Sequence, residues 1–499
     1  VNRGRVWLVG AGPGDPGLLT VKGKRAIENC DVLVYDALAS AAVVNLAPPD
    51  CERIYVGKRA GRHALSQTEI TALLVRLGQE GKRVVRLKGG DVFVFARGGE
   101  EARALHDAGV PFEIVPGITS AIAAPAYAGI PVTHRDHNTT FTISTGHEDP
   151  AKGASSLDFA KLANPKATTI FLMAMGNLAG IVAELRANGL GGETPVAIVR
   201  EGTLPTQETL TATLDTIVAE VERTQFAAPA IVVIGNVVQE REAIRWFDNG
   251  PLFGKKVLIT RPSGQTDAFA AQLWEAGAEP IVAPTIAVGP PDDIAPAERA
   301  VAAVRDYAWV AFTSQNGVAA FFDLLTAAGK DARAFGDTRV AAIGPKTAGA
   351  LAARGIRVDF VPAEYVNEAV AQGLLARTQP GDRILLFRAA EARDVLPKAL
   401  RDAGRTVDVV AAYRTRFVDD PDLRAKVERA DIVTFTSSST VQGLVYNLSD
   451  APQLLLRKHV ATIGPITAKT ALGLGIRVDA IPDDYTIEGL LGVLGVVPV

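Results

Sequence analysis

Cysteine is nearly missing from this chain: 499 residues contain only Cys30 and Cys51, which form no CxxC. That argues against a disulfide framework and against a cysteine-based zinc site. Neither sign of charge is in excess. Lys+Arg is 52 and Asp+Glu is 55, so the formal net charge is −3. A dedicated nucleic-acid binder would carry a basic surplus, so that class is set aside. No apolar run reaches the ~18 residues that a membrane helix needs, and a soluble chain without membrane contact is expected. The opening residues Val1-Asn2-Arg3-Gly4-Arg5 lead straight into an apolar run, which predicts no signal peptide. With so little cysteine, a reducing cytoplasm is the expected compartment.

What is present is an ordinary globular mixture, 48% hydrophobic and 21% charged, long enough for about three to four compact domains. Short β-branched runs alternate with Ala/Leu-rich helical stretches throughout. Runs at 6–9, 32–35, 84–87, 169–173, 196–199 and 231–234 read as buried strands of parallel type. So do those at 257–260, 310–313, 340–343, 384–387, 432–436 and 460–463. Continuous apolar runs suit sheets covered by helices on both faces, so the fold class is α/β. A break is expected at about 246–251, where charged Glu240-Arg241-Glu242 gives way to the turn chemistry of Asn249-Gly250-Pro251. The second half repeats itself. Ile343-Gly344-Pro345-Lys346-Thr347-Ala348 returns 120 residues on as Ile463-Gly464-Pro465-Ile466-Thr467-Ala468. Phe312-Thr313-Ser314 returns as Phe435-Thr436-Ser437. One duplicated α/β unit, giving two lobes that face a cleft, accounts for this.

In the first half, Gly10-Ala11-Gly12-Pro13-Gly14-Asp15 follows the first strand but fails the dinucleotide pattern, because Asp15 stands where a third glycine belongs. Pro13 and Pro16 also lack the N–H groups that would cradle a phosphate. The loop suits a ligand without phosphate that approaches the backbone closely. Lys88-Gly89-Gly90-Asp91 ends another strand at the edge where open α/β sheets bind ligands. Asp91 reads either as a carboxylate for ligand hydroxyls or as a helix N-cap. Asp36 sits at a similar strand end and alone is no better than a cap. Ten Lys or Arg lie between Arg53 and Arg97 against three acids. That stretch reads as a solvated face or, more sharply, as the partner of a polyanionic substrate. His134 and His137 are three apart, but no third ligand has metal-site spacing, so no metal is expected.

Taken in order, VWLVGAGPGDPGLLTVKG, DVLVYDAL, VGKRAG, RVVRLKGGDVFVFARGGEE, VPGITSA, GIPVTHRD and PVAIVREGT resemble the uroporphyrinogen-III C-methyltransferases over about 4–243. The resemblance implies a tetrapyrrole-methylase fold of two α/β lobes, about 1–133 and 134–245, with S-adenosyl-L-methionine between them. It also implies a homodimer, a tetrapyrrole substrate, and methyl transfer to carbons 2 and 7 of uroporphyrinogen III, giving precorrin-2 for sirohaem or cobalamin synthesis. S-adenosyl-L-homocysteine would be the by-product. Carried over residue by residue, Pro13, Gly89, Gly90, Asp91, Val94, Thr119, Ser120, Met175 and Gly202 line the cofactor site, the last two by match to MGN and EGT. Asp36 takes the place of the proton acceptor and Lys58 that of the donor. Arg62, His134 and Arg135 are the candidate partners of the substrate's eight carboxylates. Val92 and Ala96 stand where the family usually has Pro and Gly, which touches local backbone geometry more than chemistry. No dehydrogenase segment precedes Gly10, so later oxidation and iron insertion are expected of other proteins.

In the second half, VLITRP, the FTS run at 312, the IGPxTA repeat and AAYRT resemble the uroporphyrinogen-III synthases over about 253–497. That resemblance implies a synthase at 252–499, with lobe one at 252–286 plus 414–499 and lobe two at 287–412. It implies closure of hydroxymethylbilane with inversion of ring D and no cofactor. The candidate acid is Tyr413. Thr313, Ser314, Ser437, Ser438 and Thr467 are candidate carboxylate contacts, with Arg261 and Arg388 adding charge. Read singly, such Ser/Thr clusters are helix caps. The two resemblances name consecutive reactions, so a bifunctional enzyme is expected. The alternatives are a decayed synthase, or a second half that only binds tetrapyrrole to regulate the first.

Overall fold

The computed structural model describes residues 4–57, 65–147, 157–392 and 394–496. The chain divides into two compact units: Val1–Lys256 with Ala271–Pro280 and Leu494–Val499, and Val257–Ala270 with Ile281–Val493. No described helix is long and apolar enough to cross a membrane.

In the first unit, β1 (Arg5–Gly10), β2 (Val32–Tyr35), β3 (Glu52–Tyr55), β4 (Arg83–Lys88) and β5 (Phe112–Val115) form a sheet of order β3-β2-β4-β1-β5. All its pairings are parallel. Helices on both faces bury its apolar runs. The helix Gln67–Gln79 shows why one forms: Ile70, Leu74 and Leu77 lie on one buried stripe. Ser66 and Glu69 close a reciprocal capping box at its start. Complete burial of a leucine such as Leu74 contributes about 1.5–3 kcal/mol. Because the strands are parallel, their carboxyl ends share one edge, and residues 12–14, 36–40 and 89–91 gather there. The amino ends carry Cys30 and Cys51, both free and buried, with sulfurs 3.2 Å apart. Burial, reinforced by Cys51, pushes the Cys30 thiol up.

The second sheet of this unit corrects an expectation. It contains β6 (Thr140–Thr145), β7 (Ala167–Leu172), β8 (Pro195–Arg200), β9 (Glu208–Thr213) and β10 (Ala230–Ile234), in the order β6-β7-β10-β8-β9. Only β6 and β7 run parallel; β10 is antiparallel to β7 and β8, and β8 to β9. The runs at 196–199 and 231–234 were expected to be parallel. A continuous apolar run reports cover on both faces, and this sheet is covered whatever the strand direction.

In the second unit, β11 (Lys256–Ile259), β12 (Glu279–Val282), β13 (Ile286–Gly289), β14 (Trp309–Phe312), β15 (Arg339–Ala342), β16 (Arg383–Ala389), β17 (Thr406–Phe417), β18 (Ile432–Phe435) and β19 (His459–Thr462) form two sheets. Their orders are β12-β11-β18-β19 and β13-β17-β16-β14-β15. The chain therefore starts one sheet, builds the other, and returns. β13 runs antiparallel to the twelve-residue β17. The sequence repeat is a structural one. Ala341 bridges Phe360 as Ala461 bridges Ala480. Asp359 accepts from the Val340 N–H at 2.8 Å as Asp479 accepts from that of Val460 at 2.9 Å.

Candidate active sites

Three loops meet at the carboxyl edge of the first sheet, and glycine is what lets them meet. Gly90, at φ +67°, exchanges backbone hydrogen bonds with Gly12, 2.7 Å in one direction and 3.2 Å in the other. A Cβ on Gly117 would stand 2.2 Å from the Gly90 carbonyl oxygen, so no side chain fits there. Asp91 fastens the same junction. Its Oδ1 accepts from the N–H groups of Phe93 (2.8 Å) and Val94 (3.2 Å), and its Oδ2 from that of Gly117 (3.0 Å). Between these loops and the second sheet lies a cavity of about 380 Å³. Pro13, Gly89, Gly90, Asp91, Val94, Thr119, Ser120 and Gly202 all line it, with Asp36 and Lys88.

A buried ionic cluster stands behind this cleft. Glu101 is fully buried, and its Oε1 accepts from Lys88 Nζ (2.9 Å), Arg86 Nε (3.3 Å) and Gln67 Nε2 (3.0 Å). Arg86, 3% exposed, also donates from Nη2 to Asp36 Oδ2 at 3.0 Å. Asp36 is thereby tied through Arg86 and Glu101 to Lys88. Burial pulls the Lys88 ammonium below the ordinary lysine range; neighbouring Arg86 adds to this and Glu101 opposes it.

The second unit has its own constellation. Tyr413, on β17, donates to Ser314 Oγ at 3.0 Å, while Ser314 accepts from the Gly317 N–H at the start of the helix Gln315–Ala327. Burial pushes the Tyr413 hydroxyl up, and hydrogen bonding to Ser314 and Asn316 opposes the rise. Asn316 Oδ1 accepts from Gln265 Nε2 at 3.1 Å, and Gln265 Oε1 accepts from Arg261 at 3.3 Å. Burial lowers Arg261, and its Nε has no hydrogen-bond partner among the described residues.

Residues 5–218 match the family model of tetrapyrrole (corrin/porphyrin) methylases, and residues 267–492 that of uroporphyrinogen-III synthase HemD. A porphyrin biosynthesis protein HemD from Ruminiclostridium josui is 37% identical over 495 residues, which cover 98% of this chain and 97% of that protein. The chain belongs to both families, a tetrapyrrole methylase in its first half and a uroporphyrinogen-III synthase in its second. A uroporphyrinogen-III C-methyltransferase from Bacillus subtilis is 42% identical over 67% of this chain and 68% of its own length. Among solved structures, a uroporphyrin-III C-methyl transferase from Thermus thermophilus complexed with S-adenyl homocysteine is 38% identical. It covers 47% of this chain and 99% of that one, with a TM-score of 0.41.

In the methylase half, Met175 packs against the core of the second sheet, and Met173 is among the residues that line the cleft. Met173 takes φ +56° just past the end of β7, which turns the chain before the short 3-10 helix that begins at Met175. Lys58 and Arg62 lie outside the described residues. Arg135 is exposed. His134 is not among the residues that line the cleft. It belongs to a turn hydrogen-bonded to Thr168, at the start of β7, whereas Leu172 at its far end lines the cleft. Glu101 and Arg86 were missed. Glu101 was visible only as part of the RGGEE run, and nothing local marked it as buried.

In the synthase half, Ser314 and Ser437 each cap a helix, at 315 and 438. Thr313 precedes the Ser314 cap. Ser438 Oγ is 2.7 Å from Thr470 Oγ1, and Thr467 is buried. Arg388 is buried on β16 and donates to Asp394 at 2.6 Å. Gln265 and Asn316 were missed, since their meeting joins residues 51 apart.

Proposed function

We propose that the chain converts hydroxymethylbilane to uroporphyrinogen III, with inversion of ring D, and then methylates that product at carbons 2 and 7 to give precorrin-2. The observation that carries the reading is the cleft. Its walls are backbone at Gly12, Gly89 and Gly90, it has proline rather than a phosphate-binding N–H at position 13, and the carboxylates Asp36, Asp91 and Glu201 stand among its lining residues. Such a cradle fits S-adenosyl-L-methionine, a nucleoside without phosphate. That group supplies an electrophilic methyl. Gly89 and Gly90 give its methionine part room beside the backbone, and Thr119, Ser120 and Gly202, with Met175 of the MGN motif, are the proposed contacts for the remainder. The loops hold the two reactants in line, which is where positioning lowers the barrier. Alkylation of a pyrrole carbon leaves the ring with one proton too many, and Asp36 is the proposed acceptor. Arg86 steadies the Asp36 carboxylate until then.

In the synthase half, Tyr413 is the proposed proton donor to the departing hydroxyl, with Ser314 orienting its phenol. Arg261 and the hydroxyls of Thr313, Ser314, Ser437, Ser438 and Thr467 are the proposed partners of substrate carboxylates. No cofactor is proposed for this step.

One incubation tests the whole reading. Supplied with hydroxymethylbilane alone, the purified chain should yield the type III isomer; with S-adenosyl-L-methionine added, it should yield dimethylated product. Only the type I isomer, which forms spontaneously, would reject the synthase reading and leave the regulatory-module alternative. Uroporphyrinogen III supplied directly would then test the methylase alone. Tyr413→Phe is expected to slow cyclisation by about 10²-fold, the low end for loss of a general acid, with methylation of supplied uroporphyrinogen III unchanged. Cyclisation at the normal rate would exclude the hydroxyl from the chemistry.

A further inference from the structure

His134 and His137 lie three residues apart in a short turn, and the tertiary structure delivers a third donor that spacing alone could not supply. The turn is rigid. His134 donates its N–H to Asn138 Oδ1 at 2.7 Å, and the N–H groups of His137 and Asn138 return to the His134 carbonyl at 3.1 and 3.0 Å. Asn138 is buried and its Nδ2 reaches three acceptors: the carbonyls of Val132 and Thr140 and the hydroxyl of Thr168. The two imidazole rings are thereby held with centroids 4.9 Å apart. Glu240, at the end of the 3-10 helix Asn236–Glu240 that follows β10, brings Oε1 to 2.7 Å from His137 Nε2. One ligand atom from each of the three residues lies within 4.8 Å of the other two.

We propose that His134, His137 and Glu240 form a binding site for a divalent transition cation of the zinc class. Two imidazole nitrogens and one carboxylate oxygen are a donor set that suits such a cation, and three protein ligands leave further positions for water. Ligands around tetrahedral zinc stand roughly 3.4 Å apart, as bond lengths of about 2.0–2.1 Å require. The three side chains are only half-buried, so their ends are free to close by the ångström or so needed. The hydrogen bond between His137 and Glu240 would give way when the cation enters. The cations beside the site are Arg135, which is exposed to solvent, and Arg241. Arg241, the next residue, is engaged by Asp248 and the Ala128 carbonyl. The Asp136 N–H donates to His134 Nδ1 at 3.3 Å, which orients that ring. The site is distinct from the methylation cleft. It adjoins Thr168 near the start of β7, while Leu172 at the other end of this six-residue strand lines the cleft, roughly 13 Å away at the usual rise per residue. A bound cation would clamp the 134–138 turn to the segment after β10.

The test uses the full chain, stripped with chelator and then titrated with Zn²⁺ against a chromophoric competitor, and with Co²⁺ by visible absorption. The expected result is one equivalent per chain, weakened at least about tenfold in His137→Ala and in the near-isosteric Glu240→Gln. Zinc should also raise the melting temperature of the parent chain and not that of Glu240→Gln, which separates binding from any change in fold. Absence of a stoichiometric site would overturn the proposal. So would a site that both variants retain, because the metal would then be held elsewhere.

Discussion

Glu101→Ala is expected to destabilise the methylase half by about 3–5 kcal/mol, the usual cost of removing one partner from a buried ionic cluster. The carboxylate is fully buried and is the common acceptor for Lys88 and Arg86, which are 4% and 3% exposed. Its removal leaves two buried cations with only Asp36 between them. The measurement is urea denaturation of the full chain, followed through the transition of the first half. Glu101→Gln keeps the shape and one acceptor and should fall between the parent and the alanine variant. A loss below about 1 kcal/mol for Glu101→Ala would mean that water reaches the two cations and that the cluster is not a support for the cleft.

Asp36→Asn is expected to lower the methylation rate by about 10²–10⁴-fold, the range for loss of a general base, while the affinity for S-adenosyl-L-methionine stays roughly as it was. The asparagine retains an oxygen for the Leu38 N–H, now 3.2 Å from Asp36 Oδ1, so the loop should hold its shape. Arg86 keeps its contact with Glu101. Rate and affinity measured together therefore separate proton acceptance from cofactor positioning. Cyclisation of hydroxymethylbilane by the same variant serves as the internal control. A methylation rate within about threefold of the parent would remove Asp36 from the proposed chemistry.

Much of this protein was legible in one dimension because its signals are local. Apolar runs alternating with helical stretches announced an α/β chain. The glycine placement of 10–17 and 88–91 announced loops whose backbones approach closely, and Gly12 and Gly90 do meet at the sheet edge. The second-half repeat was plain from spacing and returned in the structure as matching bridges at Ala341 and Ala461. These features follow from turn chemistry and burial pattern, which neighbouring residues determine among themselves.

What needed the tertiary structure were choices that no local pattern records. Apolar runs fix burial on both faces but not direction, so β8 and β10 read like parallel strands and are antiparallel. Glu101 meets Arg86 and Lys88, Asn316 meets Gln265, and Glu240 meets His137 across 103 residues. The sequence by itself determined the alternation of elements, the loops and the duplication. Only folding decided which charges would share a dry interior and which side chains would converge, because those contacts join residues that are distant in sequence and whose burial is a property of the packed sheets.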